Sequence, residues 1–202
     1  MKIKSKNVFF ISDTHFGDDR FQIMNRPFSS LDEMHNLIKT NWNKVIGKED
    51  LVFHLGDVCY SKRQDLLPMV NELNGEKHLI IGNHDVAEKE EFLKYFKTIN
   101  ENLEINVKYE DKEYNIMLNH YPSLGVADKF NLVAHVHSVF KVQKNMINVG
   151  VDVNHFRPYS FKDIVFVMNA INSFYDQDAW VAYSEANTAH MSRGKPGNYY
   201  KK

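Results

Sequence analysis

The chain has 202 residues, 43% of them hydrophobic and 13% aromatic, which excludes a disordered or low-complexity polymer and suffices for one packed core. Lys and Arg number 25 against 26 Asp and Glu, a net charge of -1, so no global basic surface points to nucleic acid or to an anionic membrane. The single cysteine, Cys59, excludes an internal disulfide framework and suits a reducing compartment, so a cytoplasmic location is expected.

Taken in chain order, residues 7–12 form a β-branched and aromatic run that empties into Asp13-Thr14-His15. This predicts a buried strand followed by a polar loop, and the run is too short for a signal-peptide core or a membrane span, so neither export nor insertion is expected. Ser29 and Ser30 precede Leu31, Met34, Leu37, Ile38, Trp42, Val45 and Ile46 at helical spacing, with Gly47 as a stop. Residues 50–55 predict a second strand ending at Gly56-Asp57, residues 63–73 a helix, and residues 77–81 a third strand leading into Gly82-Asn83-His84-Asp85. Strands alternating with helices imply right-handed βαβ units and a parallel sheet, whose ligands gather beyond the carboxyl ends of the strands. All three polar clusters lie at such ends.

A helix over residues 88–96 is followed by predicted strands at 103–109, 114–118, 131–135 and 146–149, with a hairpin turn at Glu110-Asp111-Lys112. Ser160 is placed to cap a helix that starts at Phe161, runs through Ile164, Val165, Val167, Met168 and Ile171, and covers the second sheet. A single domain is expected over 1–183. From 184 onward no apolar period exists, which reads as a loosely ordered tail.

Asp13 and His15 are two residues apart, so on an extended backbone their side chains leave one face and can reach one ion, and His135 and His137 share that relation. Mixed carboxylate and imidazole donors suit Zn, Mn, Fe or Co, whereas Mg or Ca sites are mostly oxygen. Each cluster alone has a plainer reading: Asp-x-His as a turn with a structural histidine, Gly56-Asp57 as a turn or helix cap, and His120 as a structural side chain. Their joint occurrence carries the weight.

Together Asp13-x-His15, Gly56-Asp57, Gly82-Asn83-His84-Asp85, His120 and Ala134-His135-Val136-His137 resemble the five ordered motifs of the calcineurin-like metallophosphoesterase superfamily, over residues 7–160. The family usually has Gly at the position of Ala134, and one added methyl is expected to tighten the turn and keep the ligands. The resemblance implies an α/β fold, a four-layer αββα sandwich of two facing mixed sheets flanked by helices. It also implies that Asp13, His15, Asp57 and His137 hold one metal and Asp57, Asn83, His120 and His135 a second, with Asp57 bridging. The expected cofactors are two divalent transition-metal ions, manganese first, with zinc, iron, cobalt or nickel as alternatives.

Four cationic charges against two carboxylates would make a phosphate-attracting pocket in a nearly neutral protein. Such a pair activates a bridging water or hydroxide as the nucleophile, so the expected reaction is hydrolysis of a phosphodiester or nucleotide-type ester. His84 is expected to face the substrate as a catalytic group, with Asp85 orienting its imidazole. Arg20 and Arg26 are candidates for contacting substrate phosphate.

The segment from Asn148 to Asp152, His35, His54, His78, His155 and Cys59 are read as structural. A small phosphorylated substrate is the expected partner and no membrane is. Two other readings use the same residues: a metal-binding scaffold for protein partners that has lost catalysis, and a nuclease acting on polynucleotide, which the scattered Lys and Arg do not favour.

Overall fold

The computed structural model describes residues 1–3 and 7–174, so the expected domain end at 183 and the tail lie outside the described residues. The strands in chain order are β1 (Lys2–Ile3), β2 (Val8–Ile11), β3 (Leu51–His54), β4 (Glu76–Ile80), β5 (Thr98–Asn100), β6 (Asn102–Tyr109), β7 (Lys112–Asn119), β8 (Phe130–Val133), β9 (Val142–Gln143), β10 (Met146–Asn148) and β11 (Tyr159–Ser160). They form two mixed sheets, ordered β11-β2-β3-β4-β5 and β1-β6-β7-β8-β10-β9. In the first, β2 to β5 run parallel and β11 lies antiparallel on the β2 edge. The protein is α/β, as the motifs implied.

Every residue of β2 is buried, the continuous apolar run that a strand covered on both faces requires. Val8 and Phe10 face the second sheet and share a core with Phe53, Ile105, Ile116, Leu118, Leu132 and Ile147. Phe9 and Ile11 point the other way, onto Met34, Ile38 and Trp42. After a single turn, α1 (Phe21–Met24), those three side chains lie on α2 (Leu31–Val45).

Helix α2 begins as its sequence predicts. The Ser30 hydroxyl accepts from the Glu33 N–H at 3.2 Å, while the Glu33 carboxylate reaches back to the N–H and hydroxyl of Ser29. Ser30→Ala is expected to cost about 1 kcal/mol, read as a lower urea midpoint with an unchanged slope.

The helix predicted over 63–73 is a 3₁₀ helix, Gln64–Glu72, with Pro68 inside it. Proline has no N–H for an α-helical bond and its ring crowds the preceding turn, so the segment buries Leu67 and Val70 in a tighter winding. The helix expected over 88–96 shrinks to one turn, α3 (Lys89–Phe92), after which turns carry Phe96 into the core. Helix α4 (Phe161–Phe174) starts from Ser160, whose hydroxyl accepts from the Asp163 N–H. Its Ile164, Val165 and Ile171 join the core between the sheets, and its Phe161 ring packs on Tyr109 and Tyr114 of the second sheet.

Tyr109 and Lys112 pair across the Glu110-Asp111 turn, with Glu110 at φ 52°, so the predicted hairpin forms. Strands β1, β5, β9 and β11 have two or three residues each, too few for any periodic signal. No helix among the described residues is long and apolar enough to cross a membrane.

Parallel pairing puts the carboxyl ends of β2, β3 and β4 on one edge. A parallel bridge between Ser12 and Gly150 brings the chain beyond β10 to the same place, so both sheets deliver loops to one site.

Candidate metal centre

The loops leaving these strands do not stay extended. Asp13, His15, Asp57, His135 and His137 all have left-handed φ, between 47° and 71°. A non-glycine residue there costs of order 1–3 kcal/mol and persists where its surroundings hold it. This corrects the extended-backbone argument for Asp13 and His15 and for His135 and His137: each pair is aimed by left-handed turns. His137 then joins Asp13 and His15, while His135 joins Asp57 and His120.

Three groups offer ligand atoms mutually within 4.8 Å: Asp13, His15 and His137; His15, Asp57 and His84; and Asp57, His120 and His135. Asp57 Oδ2 lies 3.4 Å from His15 Nε2 and 3.5 Å from His120 Nε2, between the outer two groups. The loop from Gly82 to His84 wraps this carboxylate, and the His84 N–H donates to Asp57 Oδ1 at 2.8 Å. Asn83 sits on that loop and is exposed.

Glycine is required here by contact. A Cβ on Gly82 would fall 2.3 Å from Asp57 Oδ1 and 2.7 Å from the Asp57 backbone nitrogen. Gly82→Ala therefore displaces the central carboxylate, with an expected stability loss of about 1–3 kcal/mol and weaker metal uptake, both readable from thermal melts with and without Mn.

Most of the imidazoles have a second partner. His120 Nδ1 donates to the Leu55 carbonyl at 2.6 Å, and His137 Nδ1 donates to Asp152 at 2.7 Å. Asp18 lies 3.4 Å from His15 Nδ1. The two hydrogen bonds fix ring orientation and leave the other nitrogen to the site, while Asp18 stands behind His15 as a charged neighbour. The neutral His84 ring accepts from the Ser61 N–H at Nδ1, which places its own proton on Nε2.

Burial raises the Asp13 carboxyl. Burial also works against ionised Asp57, yet the His120 and His15 imidazoles hold it well below the usual carboxylate range. Burial opposes the charged form of His15 too, but Asp18 and Asp57 push its pKa up to about 9. Asp13 Oδ1, both ring nitrogens of His15 and His120 Nε2 are buried without any hydrogen-bond partner among the described residues. Convergent orphaned donor atoms of this kind are costly unless a cation satisfies them, so the residues present fit a divalent metal.

Asp85 does not orient His84. Its carboxylate accepts from the N–H groups of Asp57, Val58 and Gly82 at 2.8–2.9 Å, tying two loops together, and burial lifts its pKa to about 6. Nor is Arg26 a substrate contact: with no side-chain exposure, it pairs with Asp152 through two nitrogens and donates to the Asp13 and Thr14 carbonyls. Arg20 pairs through two nitrogens with Asp18 and lies over the Tyr60 ring at 4.3 Å, with 39% of its side chain exposed.

Asp18 and Asp152 stand behind the site's imidazoles, although no sequence motif gives Asp18 a role and Asp152, in the segment 148–152, reads from sequence as structural. Asp18 has a weak signal in its place three residues after His15, but Asp152 pairs with a residue 126 positions away, which no local pattern reveals. His35, His54 and His78 are buried and hydrogen-bonded, His155 is exposed, and burial pushes the Cys59 thiol up. Ala134 is wholly buried, its N–H donating to the His120 carbonyl at 2.9 Å.

The calcineurin-like phosphoesterase family model matches residues 6–186. The chain belongs to this family. It is therefore placed among metal-dependent phosphoester hydrolases, whose divalent metals the Asp and His groups here could hold. An uncharacterized protein of Methanocaldococcus jannaschii is 31% identical over 173 residues, covering 79% of this chain and 90% of its own length. The Gene 66 protein of Mycobacterium phage L5 is 32% identical over 82 residues, 39% of this chain and 40% of its own. A crystal structure of a protein of unknown function from Aquifex aeolicus aligns with TM-score 0.58 and 26% identity over 80% of this chain and 98% of its own.

Proposed function

We propose that this calcineurin-like phosphoesterase hydrolyses a phosphodiester or nucleotide-type phosphoric ester with two divalent transition-metal ions, manganese being the first choice. Asp13, His15, Asp57 and His137 would hold one ion and Asp57, Asn83, His120 and His135 the other. The observation that carries this reading is the position of Asp57 Oδ2, 3.4 and 3.5 Å from imidazole nitrogens of the two outer groups. When bound, the ions would acidify a water and neutralise charge on the phosphate oxygens.

The chain's own residues supply the rest. Asp57 keeps both groups in register, and the His84 N–H bond to its Oδ1 ties the ring's backbone to the same carboxylate. The His84 Nε2–H, half-buried beside His15, is a donor for the departing ester oxygen. Cytoplasmic residence belongs to the same proposal, supported by a lone, buried cysteine.

Chelator-stripped protein is expected to be inactive and to regain turnover of bis(4-nitrophenyl) phosphate with added Mn, ahead of the monoester 4-nitrophenyl phosphate. Folded protein carrying two equivalents of Mn that turns over neither these esters nor a panel of nucleotides would point instead to the scaffold reading.

A further inference from the structure

Arg20 and Arg26 each end on a carboxylate that faces an imidazole. Arg26 holds Asp152 at 2.7 and 3.0 Å, and Asp152 accepts from His137 Nδ1 at 2.7 Å. Arg20 holds Asp18 at 2.8 and 2.7 Å, and Asp18 lies 3.4 Å from His15 Nδ1. The two imidazole rings stand 5.1 Å apart, and both belong to the group completed by Asp13.

The other position has no such support. His120 donates to a neutral carbonyl, that of Leu55, and the His135 ring, which packs on His120 and Tyr121, has no carboxylate hydrogen-bonded behind it among the described residues.

A carboxylate behind an imidazole fixes its tautomer and makes the far nitrogen a stronger donor, whereas a carbonyl does the first and little of the second. Building on the two-ion reading above, we infer that the Arg26–Asp152 and Arg20–Asp18 pairs are positioning residues that make the two metal positions unequal. The Asp13–His15–His137 position binds its cation tightly and keeps it. The His120–His135 position exchanges its cation with the surroundings, so its occupancy follows the free metal concentration.

The test is Mn(II) titration of the chelator-stripped full chain without substrate, by calorimetry, with electron paramagnetic resonance counting free Mn. The expected result is one equivalent bound at least about tenfold more tightly than the second. Asp152→Asn should weaken the tight equivalent about 10- to 100-fold and leave the second unchanged, and Asp18→Asn should act in the same direction. His135→Ala should abolish the weak equivalent and leave the tight one intact, which decides the matter should an Asp18 or Asp152 variant fail to fold.

Two equal equivalents, or an Asp152→Asn protein that weakens both or only the weaker, would overturn the inference. Those outcomes leave the proposed reaction standing. Absence of Mn binding altogether would remove the metal centre itself, and unequal sites without turnover would remove only the proposed reaction.

Discussion

Asp57→Asn is expected to lower turnover on the order of 10³-fold and to leave the purified protein short of both metal equivalents, because its carboxylate lies between two groups of imidazoles. The substitution is nearly isosteric and keeps an oxygen for the His84 N–H, so the loss is one of charge and ligation rather than of shape. His84→Ala should behave differently: both equivalents retained and turnover lowered by about 10²- to 10⁴-fold, the range for a lost proton donor. Atomic emission analysis beside steady-state kinetics separates the two. If His84→Ala lost metal as severely as Asp57→Asn, His84 would be a ligand, which its place in the group with His15 and Asp57 permits geometrically.

Arg26→Ala is expected to destabilise the fold by about 3–5 kcal/mol, the cost of leaving a buried charge without its partner. The guanidinium is fully enclosed and gathers Asp152 and the carbonyls of Asp13 and Thr14, so its removal leaves a buried carboxylate with His137 as its remaining side-chain partner and takes a donor from two carbonyls. The same contacts hold the left-handed Asp13 and join the start of the chain to its far end. In thermal melts of chelator-treated protein this corresponds to a drop of roughly 6–20 °C for a domain of this size. A drop under about 3 °C would show that the pair contributes little beyond its packing.

Much of the site is legible in the sequence because its chemistry is local. Asp13, His15, Asp57, His84 and the later histidines each occupy a short motif just after an apolar strand, and parallel strands deliver such motifs to one edge by topology alone. Helix α2 is legible for a similar reason: its cap, its period and its stop all lie within eighteen residues of chain, from Ser30 to Gly47. Local reading fails where local signals are weak or conflicting. Pro68 turns an apolar periodic segment into a 3₁₀ helix, and the shortest strands are stabilised only by neighbours remote in sequence.

By itself, then, the sequence determined most of the Asp and His residues that gather in the candidate metal groups, the α/β alternation of the first half and the nature of the donor atoms. The tertiary structure alone decided how those residues are aimed and what stands behind them. Left-handed turns, not extended spacing, sort His135 and His137 into different groups, because backbone torsion at strand ends is set by the loops packed around them. Arg26 turns from a candidate substrate contact, and Asp85 from a candidate support of His84, into ties between loops because their partners are fixed by folding: Asp152 lies 126 residues from Arg26, and the Asp57 amide 28 residues from Asp85. A charge on a loop carries no mark of its partner until the chain brings them together, and in a buried site that partner is what decides its role.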